Sequence, residues 1–167
     1  MKIRLLQALD AEEYFNLRLE ALQKNPVAFA ASFEEEKEQP IEKYIMRFQS
    51  EDSFTFGAFD KGTLVGVVTL IKEKQIKLRH KATIVAMYVS PEKRGMGIGK
   101  ALLEEVIAKA KEIEGVEQVY LSVVSTNEPA KKLYSVMGFE CYGTEKRALQ
   151  LGDDYYDEDL MVLFHAE

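Results

Sequence analysis

Arg94, Gly95, Gly97, Gly99 and Lys100 crowd into one short stretch, Ala86-Met87-Tyr88-Val89-Ser90-Pro91-Glu92-Lys93-Arg94-Gly95-Met96-Gly97-Ile98-Gly99-Lys100. An apolar run ends at Ser90-Pro91, a charged glycine turn follows, and a helical pattern begins inside that turn. Glycines remove Cβ atoms, so the main chain can approach a bulky anion closely. The first N–H groups of a helix have no intrahelical acceptor and sit at the positive end of its dipole. A strand feeding such a turn is a site for a phosphorylated ligand, with Arg94 and Lys100 as added charge. The competing reading is a tight strand-to-helix connection and nothing more. Two common phosphate loops do not fit: Gly99-Lys100 is followed by Ala101 where a Walker loop needs Ser or Thr, and Lys100 and Leu102 occupy both third-glycine positions of the Rossmann fingerprint.

A second group lies downstream, in Val119-Tyr120-Leu121-Ser122-Val123-Val124-Ser125-Thr126-Asn127-Glu128-Pro129-Ala130-Lys131-Lys132-Leu133-Tyr134. Asn127 precedes a helical pattern, and Ala130 and Tyr134, four apart, share one face of it. Asn127 also suits a helix cap, and Tyr134 a core aromatic with a hydrogen-bonded tip.

The elements that must hold these groups are legible from periodicity and punctuation. Residues 2 to 7 read as a strand. Asp10 with Glu13 reads as a capping box opening a helix to about Lys24, which Asn25-Pro26 breaks. The charged segment from Ser32 to Ser50, divided by Pro40, predicts two short helices. Ser53 to Phe59 and Thr63 to Ile71 form a hairpin around Asp60-Lys61-Gly62, and Lys81 to Val89 extends the meander. Gly97 to Glu114 is a helix with Ile98, Leu102, Val106, Ala110 and Ile113 as its buried stripe, ended by Gly115. Val116 to Val124 is a strand, parallel to its predecessor because a helix carries the crossover. Pro129 to Met137 is a short helix stopped by Gly138. Phe139 to Thr144 and Glu158 to His165 close the fold around a Gly-Asp-Asp-Tyr-Tyr turn.

Composition bounds the classes. The 167 residues are 47% hydrophobic and 30% charged, the profile of one globular domain spanning 1–167. A net charge of −6 argues against sequence-independent nucleic-acid binding, which needs a surplus of Lys and Arg. Cys141 is the lone cysteine, so there is no intrachain disulfide and a reducing compartment is expected. The start Met1-Lys2-Ile3-Arg4-Leu5-Leu6 carries no signal-peptide core, and no apolar run reaches the roughly 20 residues that span a bilayer. The expectation is a cytoplasmic protein with no membrane and no nucleic-acid partner.

Arg94-Gly95-Met96-Gly97-Ile98-Gly99 matches Arg/Gln-x-x-Gly-x-Gly/Ala, and the downstream stretch matches Asn-x-x-Ala-x-x-x-Tyr, followed by Gly138-Phe139. Here the chain resembles the GNAT family, the GCN5-related N-acetyltransferases, over nearly its whole length. The resemblance implies an α/β (α+β) acyltransferase fold, a mixed, largely antiparallel sheet of six or seven strands flanked by helices. It implies acetyl-coenzyme A as cosubstrate, no metal, and direct transfer of acetyl to a primary amine of a small molecule or protein. Arg94, Gly95, Met96, Gly97, Ile98, Gly99 and Lys100 would hold the diphosphate. Main-chain groups of Met87 and Val89 would hold the acyl-pantetheine arm, the Val89 N–H polarising the thioester carbonyl. Asn127 would bond the arm, Ala130 would leave it room, and Tyr134 would donate a proton to the departing thiolate. The resemblance leaves room for a homodimer, although no residue here fixes it.

The base that deprotonates the amine is not named by the sequence. Some family members carry a glutamate early in the strand before the glycine turn, where this chain has Thr83. His80, Glu34, Glu35, Glu73 and Tyr88 stay open. Acidic runs at Glu34-Glu35-Glu36 and Asp153 to Asp159 suit either a cationic acceptor or a solvated turn. Two rival readings keep the fold: transfer of another acyl group, or a regulatory protein that binds coenzyme A without turnover.

Overall fold

Lys61 and Gly62 both take left-handed backbone, with φ of 50° and 84°, the geometry of a two-residue turn whose twist matches its flanking strands. They join β2 (Ser53–Asp60) to β3 (Thr63–Lys72). A computed structural model, describing residues 1–165, places these strands in a seven-stranded sheet. The others are β1 (Lys2–Leu5), β4 (Lys81–Val89), β5 (Gln118–Val124), β6 (Glu140–Leu151) and β7 (Asp154–Phe164). Their order is β1-β2-β3-β4-β5-β7-β6, antiparallel throughout except between β4 and β5. That pair is parallel because α4 (Ile98–Glu112) carries the chain back between them.

Helices cover both faces, which is why β3 reads as an almost unbroken apolar run. On one face Ile98, Leu102, Val106 and Ala110 of α4 pack with Val65, Val68 and Leu70. On the other, α1 (Ala11–Lys24) brings Tyr14, Leu17 and Ala21 against Leu64 and Val67, joined by Tyr44 of α3 (Glu42–Gln49). The charged segment before it holds the short α2 (Phe33–Glu36), as the break at Pro40 implies. The last helix is α5 (Glu128–Val136), ended by Gly138 at φ 103°.

Two local expectations are corrected. Asp10 does not box with Glu13: its carboxylate accepts from the Gln7 N–H at 2.7 Å and from both ends of the Arg4 guanidinium at 2.8 and 3.0 Å. Glu13 instead accepts the Leu64 N–H at 2.7 Å, tying α1 to the sheet. The Asp10 carboxylate thus takes a charged partner and the N–H of a preceding residue together. The closing strands are also much longer than their apolar patterns. Only Gly152-Asp153 turns the chain, and residues 154 to 157 lie in β7. The register shifts in β6 and the left-handed backbone at Arg147 erase alternation on this exposed edge. Cross-strand pairing replaces it: Asp157 accepts the Arg147 N–H at 2.8 Å, and the Arg147 guanidinium lies 3.6 Å above the Tyr155 ring centre.

Candidate functional site

β4 and β5 pair only at Lys81/Gln118, Ala82/Val119 and Thr83/Tyr120, and then part. The cause is in β4. Val67 faces Tyr88 and Thr69 faces Val85, so Ala86 and Met87 together oppose one residue of β3. This bulge bends the strand away from its neighbour, and Ala86 sits at φ 57°, a conformation that costs a non-glycine residue about 1–2 kcal/mol. The result is a cleft of about 550 Å³. The Ser90 N–H donates to Val65 across the β3 side at 2.9 Å. By the alternation of an antiparallel ladder, the Val89 N–H therefore points the other way, toward the opened side.

The mouth of the cleft is built of main chain. The turn after Ser90 closes with Lys93 and Arg94 N–H groups donating to Ser90 and Pro91 carbonyls. The next intrachain donor is Ala101, whose N–H reaches the Gly97 carbonyl at 3.0 Å. The six N–H groups from Gly95 to Lys100 have no hydrogen-bond acceptor among the described residues. Gly95 and Gly97 lie at φ 78° and 81°, and a Cβ at either would enter open space. Gly99 differs: a Cβ there would come within 3.3 Å of Met87 Cε and 3.5 Å of Leu133, so its role is close packing of α4 on β4 and α5. Lys100 is exposed and has no carboxylate partner among the described residues.

Arg94 folds back on the protein. Its Nε donates to the Val89 carbonyl at 2.9 Å, and its Nη2 donates to the Asn25 side-chain oxygen at 2.9 Å with that amide oriented to satisfy both its ends. Its guanidinium also lies 5.6 Å from the Tyr88 ring centre.

α5 forms the remaining wall. Asn127 caps it, its Oδ1 accepting the Ala130 N–H at 3.2 Å, which leaves its side-chain N–H groups available. Tyr134 lines the cleft with 8% of its surface exposed, and its ring meets Phe139 edge-on at 6.0 Å. Its hydroxyl has no hydrogen-bond partner among the described residues, and burial pushes its pKa up to about 12. At neutral pH it is a protonated, unengaged donor.

Every residue selected from the sequence for holding the cosubstrate or donating to it lines this cleft except Met96, which is 62% exposed. Unforeseen lining comes from Asn25, Ala28 and Phe29 after α1, from Val85 and Ala86, and from Ser122 to Val124. The Asn25-Pro26 break was the only visible signal for the first group. Of the open base candidates, His80 lies at the paired end of β4, its carbonyl accepting the Glu117 and Gln118 N–H groups. It is roughly 30 Å of strand from Val89. Glu73 is at that same end, its N–H on the Lys81 carbonyl. Glu35 accepts from Ser32 Oγ, and Glu34 lines a separate hollow. Tyr88 donates to Glu20 at 2.8 Å, and burial together with that carboxylate pushes its pKa up, so it holds its proton. The acidic run of β7 is partly neutralised: Asp157 faces Lys146, and Asp159 faces Lys131.

A model of the acetyltransferase (GNAT) family matches residues 12–139. An N-alpha-acetyltransferase of Sulfurisphaera tokodaii is 36% identical over 76 residues, 46% of each chain. An L-amino acid N-acetyltransferase, AaaT, of Escherichia coli is 29% identical over 101 residues, 60% of this chain and 62% of its own. The match thus spans about half the length of these curated relatives. Among solved structures, a GNAT-family acetyltransferase of Streptococcus pneumoniae superposes with a TM-score of 0.85 at 22% identity, covering 98% of this chain and 99% of its own. The yncA protein of Salmonella typhimurium, solved with its cofactor acetyl-CoA, gives 0.86 at 17% identity, covering 100% and 96%.

Proposed function

The chain belongs to the GNAT acetyltransferase family, and from that premise we propose that it transfers acetyl from acetyl-coenzyme A to a primary amine, with both substrates bound together. The observation that carries this reading is the juxtaposition of six acceptor-less N–H groups at the head of α4 with the gap where β4 and β5 part. A diphosphate needs several converging donors, and an extended arm needs an unpaired strand edge; both lie on one 550 Å³ cleft. The open space before Gly95 and Gly97 leaves room for phosphate oxygens. The residues fit the cosubstrate.

When bound, acetyl-coenzyme A supplies an activated thioester and a stable thiolate leaving group. The chain supplies orientation and charge. Amides of Gly95 to Lys100 grip the diphosphate, with Lys100 as the free cation beside them. Backbone groups of Met87 and Val89 take up the arm along the unpaired edge of β4. The Val89 N–H, aimed into the gap, stabilises negative charge growing on the carbonyl oxygen. Arg94 serves here by holding the Val89 carbonyl and so the peptide plane beyond it. Asn127 caps α5 and offers its amide N–H groups, Ala130 keeps the wall low, and Tyr134 would hand its proton to the sulfur as the C–S bond breaks and regain one from the nitrogen that has formed the new C–N bond. Burial keeps the phenol protonated at neutral pH.

The names of the relatives support nitrogen as the accepting atom. Thiol release followed with a panel of small amines and peptides tests the reading. Amine-dependent release supports it; saturable coenzyme A binding with no amine-dependent release would leave a binding protein, and no binding would remove the assignment.

A further inference from the structure

Asp159 is a titratable group that the proposed chemistry leaves unused, and it is 8% exposed. A carboxylate so placed must be paired and hydrogen-bonded. Its Oδ1 accepts from Ser125 Oγ at 2.6 Å and from Thr144 Oγ1 at 3.1 Å, while its Oδ2 meets Lys131 Nζ at 3.0 Å. These partners are not equivalent. Thr144 belongs to β6, on the far side of β7 from the cleft. Ser125 stands in the connection from β5 to α5, and Lys131 stands in α5 itself, between Ala130 and Tyr134. Lys131 Nζ closes the circuit by donating to the Ser125 carbonyl at 3.1 Å. The Ser125 N–H donates in turn to the Asp157 carbonyl at 2.8 Å.

The connection therefore has three anchors on β7 and α5 within a few residues of Asn127. From this geometry we infer that Asp159 is a positioning residue, which through Ser125 and Lys131 fixes the seat of α5 and with it the aim of Tyr134 and Asn127 into the cleft. This rests on the functional reading above only for what α5 touches; the clamp itself stands on this chain's own contacts. The apolar face of α5 already rests on the core through Ala130, Leu133 and Tyr134, and the polar clamp adds fixed anchors at its N-terminal entry. Charge-assisted bonds to a buried carboxylate are strong and directional enough to hold that entry.

The two hydroxyl bonds to one carboxylate oxygen allow a comparison at matched chemistry. Ser125→Ala and Thr144→Val each delete one, the first on the α5 side and the second on the β6 side. Lys131→Met removes the cation, and Asp159→Asn weakens every arm. Amide hydrogen exchange of the chain alone reads the clamp directly. Ser125→Ala and Lys131→Met should speed exchange in residues 128–136 by about tenfold while β2 and β3 keep their rates. Thr144→Val should leave α5 unchanged. With coenzyme A added, the α5-side variants should weaken binding about five- to tenfold and lower kcat with an amine, and Thr144→Val should do neither. Equal effects of Ser125→Ala and Thr144→Val on α5 exchange, or none from either Ser125→Ala or Lys131→Met, would overturn the positioning role. Should Asp159→Asn fail to fold, the Ser125 and Thr144 pair still decides. If the parent chain binds no coenzyme A, the functional reading falls while the exchange comparison still judges the clamp.

Discussion

Gly97→Ala separates the two jobs that glycine at this position could have. At φ 81° any L-residue is strained, by about 1–2 kcal/mol. For a domain of this size that corresponds to a loss of roughly 2–8 °C in Tm. Gly115 is the matched control: it lies at φ 89°, also has nothing within 4 Å of an added Cβ, and follows the far end of α4, about 22 Å along the helix axis. Both alanine variants should therefore melt earlier by similar amounts.

Coenzyme A affinity should divide them. The methyl group at position 97 enters open space on the turn whose amides, residues 95–100, are free, and in the proposed binding mode that space belongs to the phosphate. Displacing one or two hydrogen bonds to a charged phosphate oxygen costs about 1.5–3 kcal/mol each. The dissociation constant should then rise at least tenfold and by about a hundredfold or more if both bonds go, whereas Gly115→Ala leaves it unchanged. Calorimetric titration with coenzyme A, alongside scanning calorimetry of the free proteins, reads both quantities. Strain is present in free and bound states alike, so it cancels from the affinity. If Gly97→Ala loses Tm as Gly115→Ala does and yet binds coenzyme A like the parent, the glycine serves only the turn and the phosphate does not lie before these amides.

Tyr134→Phe should lower kcat by about a hundredfold, the scale of a lost general acid, with coenzyme A affinity nearly unchanged; steady-state kinetics and direct binding check this together. Arg94→Met should lower kcat by about tenfold and raise the coenzyme A dissociation constant by less than about threefold, because two of its nitrogens are already engaged by Val89 and Asn25; a loss confined to affinity would make it a phosphate ligand instead. Asp159 has its pKa lowered, first by the Ser125 hydroxyl and then by Lys131, so its contribution to stability is present above the ordinary carboxylate range and lost as pH falls through the lowered folded value. Acid denaturation followed by circular dichroism should accordingly be shallower below about pH 4 in Asp159→Asn than in the parent. Ala86→Gly should change Tm by no more than about 3 °C, relief of left-handed strain being offset by the extra freedom of the unfolded chain, while Ala86→Val should lower it further.

The glycine turn, α4 and the parallel β5 were legible because each rests on local rules. Left-handed backbone selects Gly95 and Gly97, a 3.6-residue stripe buries Ile98 to Ala110, and a helical crossover forces parallel pairing. The length of β6 and β7 was not legible, because Asp154 to Asp157 and Lys146-Arg147 carry no apolar alternation. Their pairing comes from contacts across the hairpin, such as Arg147 on Tyr155 and on Asp157. Arg94 was legible as a motif but not as a geometry. Nothing in its neighbours announces that Asn25, nearly seventy residues earlier, accepts one of its N–H groups.

Ala86 shows why the cleft itself is the hardest part to read. Its side chain is one methyl group, and in a strand pattern Val85-Ala86-Met87-Tyr88-Val89 suggests unbroken pairing. Yet the insertion of one residue opposite Val68 decides that β4 turns off its path after Thr83, and that decision creates the gap. The same bend brings Tyr88 round to Glu20, and Arg94 then secures the Val89 carbonyl. A main-chain donor aimed by a bulge, six amides left free by a helix start, and a phenol kept neutral by burial require few special side chains. It follows that substitutions altering only backbone freedom at residues 86, 95 and 97 should disturb activity more than most exchanges of the apolar side chains lining the cleft.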